Sequence, residues 1–151
     1  MLKKLVVLAL SFSAASIALA QDHQPLEKAQ KAVQTITEKT PAIDNPQIKV
    51  NVDIQKPYLV TGGDNLGILV VPDKALANKQ PLPAGKDAVP LGQLWMRGLA
   101  PFIDGAPVAD NKLRELTLST DGDQVKLTTY LLAAKTDGDE TKLLIYGKAK
   151  E

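Results

Sequence analysis

Side chains able to do chemistry are scarce in this chain. Its 151 residues include no Cys and a single His. Thiol nucleophiles, disulfides, zinc fingers and iron–sulfur clusters are therefore excluded. One imidazole, His23, also falls short of the several His or Cys ligands that zinc uses. The serines are Ser11, Ser13, Ser16 and Ser119. The first three lie in a segment read below as a leader. Ser119 falls in an expected strand just before a turn, without a Gly-x-Ser-x-Gly context. His23 precedes the first expected helix, near a terminus, where chains fray and hold an imidazole poorly. A Ser-His-Asp triad has no support, and a Cys-His pair is impossible.

Carboxylates remain. Asp121, Asp123, Asp137 and Asp139 sit in two neighbouring Asp-Gly turns, and oxygen ligands of this type suit a hard cation such as calcium. Neither turn matches an EF-hand loop. The run Gln124 to Lys135 between them, if a strand, would hold the turns about 35–40 Å apart. Solvated hairpin tips are the plainer reading. Glycoside cleavage needs two carboxylates about 5–10 Å apart. Asp53, Asp64 and Asp104 are placed on a polar strand face or in turns, and no pair stands out. The loop Gly62-Gly63-Asp64-Asn65-Leu66-Gly67 is glycine-rich. It leads into Ile68-Leu69-Val70-Val71, a strand, whereas a phosphate loop leads into a helix.

Trp95-Met96-Arg97 is the remaining constellation. A Trp and an Arg two residues apart share one face of a strand, and together they form a common contact pair for a ligand or partner. Trp95 stands beside Leu94 and Met96, where a lone Trp is more often core than contact. No residue set calls for a cofactor.

The elements that must position these residues follow from pattern. Met1 to Ala20 has Lys3 and Lys4, an apolar run from Leu5, and small residues at Ala18-Leu19-Ala20. That is a secretory signal pattern, and it is shorter and more serine-diluted than a membrane span of about 20 apolar residues. Residues 21–151 are then one exported domain. The net charge is +1, so no strong field recruits nucleic acid.

Leu26, Ala29, Val33 and Ile36 recur at helical spacing after Pro25, and Thr40-Pro41 ends the run. Ile48, Val50, Val52 and Ile54 alternate with polar residues, which predicts a half-buried strand. Tyr58–Thr61 and Gly67–Val71 flank a Gly-rich turn and read as a hairpin. Residues 78–90 form a Pro-rich connection. Leu91 to Val108 reads as one bulged or bent strand interrupted near Gly98 and Pro101. Asp121-Gly122 and Asp137-Gly138 separate three strand-like runs, which predicts a C-terminal three-strand β-meander.

The expected fold class is α+β. An N-terminal helix packs on a mainly antiparallel β-sheet, closed up as a small sandwich or half-barrel. The expected function is that of a non-catalytic periplasmic or secreted protein binding a protein, polymer or small ligand of the cell envelope, through Trp95 and Arg97. Two alternatives remain: a small carboxylate-dependent hydrolase of envelope polysaccharide, and a structural component assembling through sheet edges.

Overall fold

A computed structural model describes residues 22–44, 46–63, 65–78, 87–103, 105–120, 122–138 and 140–148. Residues 1–20, read above as a leader, and residues 79–86 of the Pro-rich connection lie outside them. A short strand, β1 (Asp22–His23), precedes helix α1 (Leu26–Lys39). Next come β2 (Tyr58–Gly62), β3 (Leu66–Pro72), the short helix α2 (Lys74–Ala77) and β4 (Val89–Arg97). A separate two-stranded ribbon follows, β5 (Phe102–Ile103) with β6 (Ala106–Pro107). The chain then forms β7 (Glu115–Thr120), β8 (Asp123–Asp137) and β9 (Glu140–Tyr146). The architecture is α+β with a predominantly antiparallel sheet, and that sheet is open. Among the described residues, no helix is long and apolar enough to cross a membrane.

The main sheet has seven strands in the order β1-β2-β3-β4-β8-β7, with β9 also paired to β8. The C-terminal hairpins form where the two Asp-Gly turns placed them, but not as a meander. Thr128 pairs with Met96 on one edge of β8 and with Glu115 on the other. Leu131 likewise pairs with Gln93 and with Tyr146. So β7 and β9 lie end to end along the same edge, opposite β4. A 15-residue strand is long enough to carry both. The junction is sealed by Thr129 N–H donating to Arg114 O and Lys148 N–H donating to Lys112 O, each at 3.0 Å.

Residues 48–54 form no strand. Their contact with the sheet is one bridge, Val52 opposite Asp73. Asp73 explains it. Its buried carboxylate accepts from Asn51 N–H (2.8 Å) and from Ala75 N–H (3.0 Å), so it tethers this segment while capping α2. Anchored at one point, the segment half-buries Ile48, Val50 and Val52 without a ladder and leaves Ile54 exposed. Leu91–Val108 is likewise not one strand. β4 carries the expected bulge, between Pro90 and Gly92, and ends before Gly98. There φ is +67° and a Cβ would lie 2.6 Å from Asn65 O, so only glycine fits without strain.

Helix α1 covers one sheet face. Ala29, Val33 and Ile36 face inward against Leu69, Val71, Trp95, Leu118 and Leu127. Its main contacts are with β2 and β3 on one side and β7 on the other. Fourteen residues give a helix of about 21 Å, close to the roughly 19 Å that separates β2 from β7 across four inter-strand steps. The helix therefore lies across the strands. Its last turn is pinned by Lys39 Nζ donating to Ser119 O at 2.8 Å. Its start is held by the β1 segment, where Gln24 N–H donates to Leu59 O at 3.0 Å. This segment is thus docked, and His23, opposite Val60, is held in a strand with its side chain exposed.

Candidate functional site

Trp95 and Arg97 both point from β4 to the face that α1 covers. A central strand is buried on both faces, so its sequence shows no alternation; register settles the direction. Leu69 opposes Trp95, and Leu59 opposes Leu69, in one inward row. Trp95 is 4% exposed and belongs to the core beneath α1. Arg97 lies one step further along, half-buried, in a parallel row formed by Thr61, Gly67 and Arg97.

Between these rows and the helix is a cavity of ≈ 650 Å³. That is within the range of about 300–1,000 Å³ usual for small-molecule sites. Leu59, Leu66, Leu69, Trp95, Leu127 and Ile36 give it an apolar lining. Its charged lining residues are Lys28, Lys31 and Arg97; none of the described residues lining it is an Asp or Glu. A smaller cavity of ≈ 250 Å³ lies on the other side of Trp95, lined by residues that include Ile43, Asp44, Gln93 and Arg114.

Two of the three cations, Lys28 and Arg97, are held by hydrogen bonds where they can meet a ligand. Lys28 Nζ donates to Gln24 Oε1 at 2.8 Å, and Gln24 Nε2 donates to Thr61 Oγ1 at 2.7 Å. Lys28 is thereby tied to the end of the row that Arg97 closes. Arg97 Nη2 donates to Asn65 Oδ1 at 2.7 Å, which fixes the guanidinium and leaves its other donors to turn elsewhere. Among the described residues, none of the three cations forms an ion pair; the pairs found there are Lys56 with Asp53 and Lys142 with Glu140.

Gly67 stands between Thr61 and Arg97. A Cβ there would meet nothing closer than Val60 O at 3.8 Å, so neighbouring atoms do not require a glycine. Its missing side chain leaves the middle of the row open to the cavity. A glycine inside a strand often marks such a place of close approach.

The acid-bearing turns are not brought together. Asp123 and Asp137 begin and end β8, about 45 Å apart at strand rise. Asp121 and Asp139 lie outside the described residues, as do Asp64 and Asp104. Among the described residues, no group of three or more His, Asp or Glu is placed to hold a metal ion.

A second polar feature occupies the opposite sheet face. Tyr130 is 2% exposed, and its hydroxyl and that of Thr128 are buried without a hydrogen-bond partner among the described residues. Burial raises the Tyr130 pKa. The Thr128 hydroxyl lies near enough to lower it somewhat, short of hydrogen-bond geometry, and the charge of Glu115 raises it further.

The molecule so defined is a helix laid across an open antiparallel sheet, with a cation-rimmed apolar cavity between them. No protein-family profile matches the chain, and no curated protein or solved structure matches it significantly.

Sequence types alone marked Trp95 and Arg97. Lys28, Lys31 and Gly67 went unmarked, because helix lysines resemble a solvated face and Gly67 resembles part of a turn. The available signal was Gly67 itself, a residue without a side chain at an inward strand position.

Proposed function

We propose that this protein is a non-catalytic binding protein of the periplasm or the extracellular space, and that it holds a small ligand between α1 and the sheet. The leader-like segment of residues 1–20 supports export. In this reading the sheet curls about the cavity as a half-barrel and the helix serves as its cover. The cavity along the flank of α1, with Trp95 and Leu69 at its base, carries the proposal. A small molecule entering it meets Trp95, whereas the flat face of a protein partner would find that side chain 4% exposed. A carboxylate-dependent hydrolase would need its acids here, and the described lining offers none.

Replacing Gly67 by Leu tests the reading. The new side chain has room at its Cβ and projects into the cavity. Removing a strand glycine also favours the fold by about 0.5–1 kcal/mol. Native mass spectrometry of the protein purified from expressing cells should show a co-purifying small molecule in the parent and none in Gly67→Leu, with melting temperature maintained or raised. Equal occupancy in both proteins would refute the site.

A further inference from the structure

We infer that the ligand is an amphipathic anion: one apolar chain or ring system bearing a single carboxylate or phosphate-type head. This rests on the cavity being the binding site. The lining is apolar at its base and carries Lys28, Lys31 and Arg97 as its charged groups. The whole chain is close to neutral, with 18 Lys and Arg against 17 Asp and Glu. Three cations with no described acid on one lining are thus a local concentration of charge, not a reflection of composition.

Their placement separates head from tail. Arg97 and the Gln24-bound Lys28 flank the Thr61–Gly67–Arg97 row, while Leu69 and Trp95 form the next inward row. A head over Gly67 lies between the cations, and its chain runs along the flank of the helix, past Leu59, Leu66, Ala32 and Thr35. Arg97 is suited to an oxyanion, because Asn65 holds one side of its planar fork and the rest can donate to two oxygens. A neutral apolar ligand would leave these cations unused, and a cationic one would be repelled.

Trp95 is the chain's single Trp, so its fluorescence reports the cavity directly. The full protein is titrated with decanoate, decyl phosphate, decanol and decyltrimethylammonium, each below its micelle concentration. Decanoate or decyl phosphate should change the emission saturably and bind about tenfold tighter than decanol, the gain expected of a charge-assisted hydrogen bond. Decyltrimethylammonium should leave the emission unchanged. Lys28→Gln with Arg97→Gln should lower anion affinity to the decanol level and leave decanol affinity and the melting temperature unaltered. Equal binding of decanol and decanoate, or preference for the cation, overturns the anionic ligand while the site stands. Failure of all four probes to move Trp95 emission overturns the site as well.

Discussion

Trp95 and Arg97 are two residues apart and do different work. Trp95 fills the core under α1, so Trp95→Ala should cost about 3–5 kcal/mol by loss of packing and creation of a cavity. Arg97 is half-buried with one hydrogen bond, to Asn65, so Arg97→Ala should stay within about 1 kcal/mol. Urea denaturation of both variants checks this contrast; similar losses would mean that Arg97 is structural. Tyr130 makes a prediction of another kind. Its folded pKa is raised above the ordinary value near 10, so above pH 10 the unfolded chain releases a proton that the folded chain retains. Stability should therefore fall as pH rises from 10 through the folded pKa. Tyr130→Phe should flatten that fall. Because its hydroxyl is buried without a partner among the described residues, the change should cost little at neutral pH. Denaturation midpoints at pH 7 and between pH 9 and 11 measure both effects. At this scale the sequence supplied the residue types and withheld their direction. Leu94, Trp95 and Met96 are apolar without interruption, and only the pairing with Leu69 shows which of them face the helix.

Among the elements, α1 and the hairpins were legible for local reasons. Leu26, Ala29, Val33 and Ile36 mark one helix stripe, and Gly63, Gly122 and Gly138 supply positive φ at the turns. The 48–54 segment alternates yet forms no strand, because alternation records burial and not the presence of a ladder partner. A single carboxylate replaces that partner. Asp73→Ala would leave the Asn51 and Ala75 N–H groups without their acceptor, at a cost of about 1–3 kcal/mol. Hydrogen exchange should then speed up at Asn51 and Ala75 while the β4–β8 ladder stays protected. Uniform loss of protection, or none, would contradict a local tether. The C-terminal strands depart from a meander for a similar reason. Turn chemistry specifies that β8 pairs with β7 and with β9, but not which edge each takes. The length of β8 and the claim of β4 on its other edge decide that.

For the whole molecule, a small-ligand binder and a protein that assembles through sheet edges differ in mass. The edge formed by β7 and β9 exposes Glu115, Thr117, Ser119, Glu140 and Lys142, and charged edges resist pairing with another chain. The protein should remain monomeric in sedimentation as its concentration is raised; concentration-dependent mass would favour assembly.

β8 also sets an order of events. It is the second-to-last strand to appear, yet it closes the free edge of β4 and supports both β7 and β9. Until residues 128–134 arrive, β4 has one neighbour and Trp95 lacks Thr129 beside it. Pairings this distant in sequence form late and slowly. The first two thirds of the chain therefore cannot settle alone into the finished sheet. A polypeptide threaded N-terminus first through a narrow pore would keep its earlier strands pliable until the C-terminal third follows, and only then complete the sheet.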